Sequence, residues 1–122
     1  MDDQERLAHT WAVVTMPAEI DGVNAQRAGE ELALAFGPGT SIVVADLTAT
    51  TFCDPSGVQM FAYAHMRATV NNTELRLAVP SAAVRRIFAL TGLDRLMPVY
   101  LSLGAALTDA TAQGRKGEPT PG

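Results

Sequence analysis

The sequence Ile42–Met66, IVVADLTATTFCDPSGVQMFAYAHM, carries the strongest structural signal in the chain. It begins with a mostly apolar run, Ile42–Leu47, which is typical of a strand buried on both faces of a sheet. A short polar segment, Thr48–Thr51, follows, and the residues FCDPSG then lead into a long and mostly apolar helix. The stretch therefore predicts a buried strand that passes through a sharp corner into a helix.

The residue types at this corner predict where the helix begins. Asp54 is a preferred N-cap residue, because its carboxylate can accept hydrogen bonds from the free amides one turn on. Pro55 suits the first helical position, where a missing N–H costs nothing. Ser56 and Gly57 follow in the first turn, where outward-pointing N–H groups favour a negative group. A capped strand-to-helix corner explains all four residues, and a hydroxyl exposed for modification or for a partner is the alternative.

Composition limits the classes of function. The chain has 122 residues, of which 48% are hydrophobic and 18% charged, which is typical of one globular domain. No apolar run approaches the roughly 20 residues of a membrane span, and the polar start MDDQERL is not a secretory signal. The net charge of −4 argues against a grip on nucleic-acid phosphates. We therefore expect a cytoplasmic protein that binds neither nucleic acid nor a membrane directly.

Patterns for catalysis and metal binding are weak. The single cysteine, Cys53, excludes an internal disulfide, and the two histidines lie far apart in the sequence. Asp21, Asp46 and Asp54 could meet where parallel strands end and could hold a cation, but capping and turn roles are the preferred interpretation. Ser56 has no neighbouring histidine to act as its base. We expect a protein that is not an enzyme and needs no metal or cofactor.

The whole chain alternates strands and helices. Apolar runs and alternating hydrophobicity predict strands at Leu7–Met16, Ser41–Leu47, Glu74–Val79 and Met97–Leu101. Helical spacing and stop signals predict helices at Asn24–Phe36, Ser56–Val70, Ala82–Leu90 and Leu103–Ala112. This order predicts an α/β fold with a mixed or parallel sheet of about four to five strands and about four helices. Residues 1–112 form the domain, and 113–122 are expected to be a flexible tail.

The second predicted helix is apolar over most of its circumference. Met60, Tyr63 and Met66 extend the apolar surface beyond the face that Val58 and Phe61 begin. A helix of this kind is either deeply buried or covered by another molecule. Met and Tyr also suit adaptable contact surfaces. Both interpretations stay open from the sequence.

Three blocks of the sequence resemble the STAS domain of bacterial anti-sigma factor antagonists. The first block is the turn AEID at Ala18–Asp21, which resembles the family's Gly-Glu-Leu/Ile-Asp. The second is the corner at Asp46–Val58, and the third is the strand-to-helix stretch at Leu77–Leu93. Each block alone is weak, but the order and spacing of all three are specific, and together they cover about residues 10–110. The resemblance implies a STAS-like α/β fold.

The resemblance also implies a function by partner switching. Such an antagonist binds an anti-sigma factor, usually a serine kinase with a GHKL-type ATP-binding fold, and a sigma factor is thereby released. The kinase ends the binding by phosphorylating the exposed corner, where the phosphate adds about −1.5 to −2 charges. We expect the partner-binding residues to lie in one patch, and these are Asp21, Asp54, Ser56, Gly57, Gln59, Met60 and Tyr63.

The sequence departs from the family pattern at the phosphorylated position. In the family, the acceptor hydroxyl belongs to the residue directly after the corner aspartate, and that residue is Pro55 in this chain. Ser56 matches the neighbouring Ser/Thr, so it is the alternative acceptor. We hypothesise an antagonist that either escapes the usual phosphorylation or uses Ser56. Ala18, in place of the family's first glycine, is a minor change.

The sequence is also compatible with two other functions, and two opposing effects act on the pKa of Cys53. A non-switching STAS module, acting as a scaffold or as an accessory subunit of a transporter, fits Pro55 because a scaffold needs no acceptor. A sensor of nucleotides or other small ligands could use the amides at the start of the second helix. The nearby helix N-terminus would lower the pKa of Cys53, whereas apolar surroundings would raise it, and apolar surroundings are the preferred interpretation.

Overall fold

The computed structural model describes residues 10–108. The strands are β1 (Trp11–Thr15), β2 (Glu19–Ile20), β3 (Ile42–Asp46), β4 (Phe52–Cys53), β5 (Glu74–Ala78) and β6 (Val99–Tyr100). The helices are α1 (Ala25–Ala35), α2 (Pro55–Val70), α3 (Ala82–Thr91) and α4 (Leu103–Thr108), with a turn of 3₁₀ helix at Leu93–Arg95. The predicted tail, 113–122, lies outside the described residues, as do the start of the first predicted strand and the end of the last predicted helix.

A four-stranded sheet in the order β1-β3-β5-β6 forms the centre of the molecule, and every pairing in it is parallel. The inner strand β3 pairs Ile42 with Trp11 on one side and with Glu74 on the other. Helices connect these strands, as parallel pairing requires. The predicted α/β class is therefore confirmed, and the sheet is the parallel alternative of the two that were expected.

Strands β2 and β4 form a second, two-stranded parallel sheet that was not predicted. Glu19 pairs with Phe52, and Ile20 pairs with Cys53. Two-residue strands are too short to show a hydrophobic period, so their sequence carries no signal for them. This pairing joins the turn before α1 to the corner before α2.

Different helices pack on the two faces of the main sheet. Helices α1, α2 and α3 pack on one face, where the Phe61 and Phe88 rings meet edge to face with centroids 5.8 Å apart. Helix α4 packs Ala106 against Ile42 and Val44 on the other face. Because β3 is covered on both sides, its continuous apolar run is explained. Within residues 10–108, no helix has the length and apolar character needed to cross a membrane.

A charged pair is buried under α4. Arg76 is fully buried, and its Nε donates to Oε2 of Glu74 at 3.2 Å, while its Nη1 donates to the Ala106 carbonyl at 2.8 Å. The guanidinium also lies 4.9 Å from the centre of the Trp11 ring and 5.5 Å from that of Tyr100. Glu74 Oε1 and Arg76 Nη2 have no hydrogen-bond partner in the described part of the chain. The pair therefore fastens α4 to the sheet with two polar atoms left unsatisfied.

Removing the carboxylate of this pair should destabilise the fold. We expect Glu74→Ala to lower the free energy of unfolding by about 3 kcal/mol, because it leaves the buried Arg76 charge without its ionic partner. The loss stays at the lower end of the range for buried pairs because the Ala106 carbonyl still accepts from Arg76. Urea denaturation measures the change.

Two further variants distinguish the loss of the buried ion pair from the general effect of removing an acidic side chain. Glu31→Ala, on the exposed surface of α1, should change stability by less than about 0.5 kcal/mol. The double change Glu74→Leu with Arg76→Met should recover most of the loss, because apolar residues of similar volume often replace a buried pair without cost. A loss for Glu74→Ala no larger than for Glu31→Ala would contradict the role of the pair.

Candidate functional site

The corner at the start of α2 is capped as the sequence predicts. Asp54 is the N-cap residue, and its Oδ1 accepts from the amides of Ser56 at 2.8 Å and Gly57 at 3.2 Å. Pro55 occupies the first helical position and is exposed. Satisfying these two free amides holds the first turn of the helix in one geometry. The corner is therefore a rigid feature with an exposed proline at its tip.

Backbone hydrogen bonds tie this corner to the segment before α1. The Asp54 amide donates to the Ile20 carbonyl at 3.0 Å, and the Thr51 amide donates to the Ala18 carbonyl at 2.8 Å. The Thr50 hydroxyl, buried in the turn before β4, donates to the Pro17 carbonyl at 2.7 Å. Two of the sequence blocks that resemble the family are thus neighbours in space, through residues more than 30 positions apart in the chain.

Gly57 allows the first turn of α2 to approach this small sheet closely. A Cβ at position 57 would lie 2.5 Å from Cys53 Sγ and 2.8 Å from Ile20 Cγ2, which are distances that real Cβ atoms do not show. Gly57 is itself buried. This residue was predicted to bind a partner, but the structure places it in the packing beneath the surface.

Asp21 forms a local turn at the start of α1. Its Oδ1 accepts from the amides of Val23 at 2.9 Å and Asn24 at 3.2 Å, while Asn24 Oδ1 accepts from the Asp21 amide at 3.0 Å. Asn24 is the N-cap residue by position, but its side chain bonds none of the α1 amides. Asp21 and Asn24 therefore form a reciprocal turn that holds the backbone just before the helix.

The three aspartates that the sequence suggested as a cation site each have a local role instead. Asp46 accepts from the Thr48 amide at 2.9 Å, and Asp21 and Asp54 accept from the amides described above. Among residues 10–108, no three His, Cys, Asp or Glu side chains come together in a way that could hold a metal ion. The turn and capping interpretation of these residues is confirmed.

The predicted patch residues lie around the corner at different depths. Asp21, Asp54 and Ser56 are half-buried, and a Cβ on Gly22, next to Asp21, would lie 3.5 Å from Ser56 Oγ. Gln59 and Tyr63 are exposed, and Met60 is buried. Four of the predicted residues line a groove of about 420 Å³ between α1 and α2, and these are Ser56, Gln59, Met60 and Tyr63. The α1 wall of this groove was not predicted, because its residues follow no binding motif.

Burial explains only part of the apolar surface of α2. Phe61 and Ala64 are buried against the core, whereas Tyr63 and Met66 are each 61% exposed and Val70 is 82% exposed. Burial is therefore confirmed for one face of this helix, and cover by another molecule stays a prediction for the other. The exposed apolar side chains are accessible for contact with another molecule.

Cys53 is a buried free thiol. It is 2% exposed, in the packing between β4 and α2. Burial, and to a smaller extent the negative charge of Asp54, raise the pKa of the Cys53 thiol to about 12. The apolar interpretation of this cysteine is confirmed, because the thiolate that reacts is disfavoured in the folded protein.

Comparison with known protein families identifies the family of this chain. The model of the STAS domain family matches residues 4–106. The chain belongs to the STAS domain family. No curated protein matches the sequence of this STAS domain.

Solved structures with the same fold include anti-sigma factor antagonists and a sulfate transporter family protein. An anti-sigma factor antagonist from Mycobacterium paratuberculosis is 29% identical, with a TM-score of 0.65 over 79% of this chain and 81% of that one. An anti-sigma-factor antagonist (STAS) domain protein from Planctomyces limnophilus is 18% identical, with a TM-score of 0.67 over 78% and 85%. A sulfate transporter family protein from Wolinella succinogenes is 12% identical, with a TM-score of 0.73 over 83% and 84%. The last two likenesses show the fold alone.

Filling the space beside Gly57 should destabilise the corner. We expect Gly57→Ala to lower the free energy of unfolding by about 3 kcal/mol, because the added methyl group overpacks against Cys53 and Ile20. Gly104→Ala in α4 is the control, since the nearest atom to its added Cβ is 4.0 Å away, and it should not lower stability but raise it by up to about 1 kcal/mol through helix propensity. Equal effects in urea denaturation would refute the close approach at Gly57.

The raised pKa of Cys53 predicts a loss of stability in alkali. The unfolded chain ionises near the ordinary thiol pKa of about 8.5, whereas the folded chain keeps the proton up to about 12. This group therefore contributes stability that is complete below the ordinary pKa and declines as the pH rises between these two values. Thermal unfolding against pH measures it, and Cys53→Ala should show a smaller alkaline decline. An identical decline in both proteins would argue against the effect.

Proposed function

We propose that this STAS domain is an anti-sigma factor antagonist that acts by partner switching in the cytoplasm. It binds an anti-sigma factor of the GHKL serine-kinase type, and the sigma factor held by that protein is released. The observation that carries the proposal is the capped corner, fastened to the turn before α1 and presented at the surface. The 29% identity to an anti-sigma factor antagonist across most of the chain supports it.

The corner has the properties of a binding surface rather than of a catalytic site. Asp21 and Asp54 are held by backbone hydrogen bonds, so little conformational entropy is lost when a partner binds them. Gln59 and Tyr63 extend the same surface along α2. Tyrosine is enriched among the residues that carry most of the binding energy in interfaces. Recognition of a protein partner is therefore the role that these side chains suit, with no catalytic step.

Phosphorylation control of this antagonist is altered or lost. Pro55 is exposed where the family carries its acceptor hydroxyl, and proline has none. Ser56 is the neighbouring hydroxyl, half-buried beside Gly22, with its amide bonded to Asp54. A phosphate on Ser56 would place about −1.5 to −2 charges next to that carboxylate and weaken the complex by repulsion. The unmodified form is the form that binds.

Restoring a serine at the corner should restore the acceptor. Incubation of Pro55→Ser with the cognate kinase and ATP should place phosphate on residue 55, mapped by mass spectrometry, and should weaken binding to that kinase. The wild-type chain should carry none on residue 55. Phosphate on Ser56 of the wild-type chain, absent from Ser56→Ala, would show that phosphorylation control is altered. A wild-type chain that binds the kinase but carries no phosphate would show that this control is lost. A Pro55→Ser chain that binds the kinase but is never modified at residue 55 would refute the assigned acceptor position.

A second candidate function is a STAS module without switching, as a scaffold or a transporter accessory subunit. Pro55 favours it, because such a module needs no acceptor. The sulfate transporter family protein of Wolinella succinogenes has the same fold. Co-purification of the tagged chain with a transporter subunit rather than with a kinase-type anti-sigma factor would select this function.

A further inference from the structure

The groove between α1 and α2 extends the corner along a second helix. Its α2 wall begins at Ser56 and ends at Arg67, and its α1 wall includes Gln26 and Glu30. At 1.5 Å per residue, the eleven-residue step from Ser56 to Arg67 corresponds to about 16 Å. Its volume of about 420 Å³ lies within the range of about 300–1,000 Å³ that ligand pockets occupy. The groove is therefore long enough for a segment of another protein.

The floor of the groove is apolar and adaptable. Ala25, Gly29 and Ala64 line it with small side chains or none, and Met60 lies among them at 8% exposed. A Cβ on Gly29 would lie 2.9 Å from Met60 Cγ, so the absence of a side chain there lets α1 approach α2 closely. Methionine has a flexible and polarizable side chain that adjusts to an incoming group. Such a floor suits an apolar side chain rather than a charged ligand.

The two ends of the groove differ in charge. At the Ser56 end lie Asp21 and Asp54, which are close to the N-termini of α1 and α2. Each helix N-terminus contributes about half a positive charge, which offsets only half of each carboxylate, so this end stays negative. At the opposite end, Arg67 supplies a positive charge beside Tyr63, with its guanidinium carbon 5.8 Å from the ring centre. Glu30 on the α1 wall adds a further negative charge to this groove, so only the Ser56 end predicts the charge of a bound segment, which would be basic there.

We propose that this groove receives an apolar side chain of the anti-sigma factor, on a segment whose basic side chain lies over Asp21 and Asp54. The inference rests on the proposed function and adds α1 to the binding surface. The apolar side chain packs on Met60 beside Tyr63, and the basic side chain at the Ser56 end sets the direction of the segment. Binding therefore requires the spacing of two helices as well as the corner itself.

A matched pair of variants on α2 tests the groove. Tyr63 and Met66 are both 61% exposed on the same helix, and of the two Tyr63 alone lines the groove. The probe is the full-length anti-sigma factor from the same organism that binds the wild-type chain, purified and identified by mass spectrometry. By calorimetry, Tyr63→Ala should raise the Kd about tenfold or more, and Met66→Ala less than about twofold. Circular dichroism checks that both variants fold.

A second pair tests the charge at the Ser56 end. Asp21→Asn keeps an oxygen that can accept from the Val23 amide but removes the charge, so it should slow association and reduce the dependence of the rate on salt. Asp94→Asn, on the exposed 3₁₀ turn, is its control and should change neither. If Asp21→Asn and Asp94→Asn associate with the same rate and salt dependence, the proposal that a basic side chain of the partner lies over Asp21 is wrong.

The failure of the inference and the failure of the proposed function give different results. If the wild-type chain binds the anti-sigma factor and Tyr63→Ala and Met66→Ala weaken it equally, the groove is not the binding site and the proposed function stands. If the wild-type chain binds no anti-sigma factor, the proposed function fails and the inference fails with it. Tight binding of the wild-type chain, selectively lost in Tyr63→Ala, supports both.

Discussion

The close contact between the first turn of α2 and the two-stranded sheet β2–β4 is the constraint on which the site depends. Gly57 allows this contact, since a Cβ there would overlap Cys53 and Ile20. The Asp54 amide then reaches the Ile20 carbonyl, and the turn that contains Asp21 is held beside the corner. Without the contact, the corner would still be a helix cap, but it would not share a surface with the start of α1.

The same contact also sets the chemical character of Cys53. The thiol lies against the glycine that lets α2 approach, in a position that water does not reach. Burial, and to a smaller extent the negative charge of Asp54, raise the pKa of the Cys53 thiol to about 12, which favours the protonated form at neutral pH. The thiolate of this residue, one position from a cap aspartate, is thus disfavoured, because burial and the neighbouring negative charge both act against ionisation.

The two faces of the main sheet are stabilised in different ways. The face under α1, α2 and α3 holds a large apolar core. The face under α4 has little apolar cover from a six-residue helix, and it places the Arg76–Glu74 pair between the rings of Trp11 and Tyr100. A buried pair with unsatisfied atoms adds little net stability, but it holds α4 in one position on the sheet. The groove between α1 and α2 lies on the opposite side, where apolar packing sets the helix positions.

The sequence alone determined the alternation of the four main strands with the four helices, the buried strand β3 and the cap at Asp54, because hydrophobic period and capping residues are local signals. The identity of residue 55 also led to the proposal that a proline stands where the family carries its acceptor hydroxyl. Only the tertiary structure decided that β2 pairs with β4, that Gly57 lies beneath the surface and that Glu30 of α1 shares a groove with Tyr63 of α2. The physical reason is that these relations join residues about 30 positions apart, and contact over such a separation depends on how helices and strands pack rather than on any local pattern.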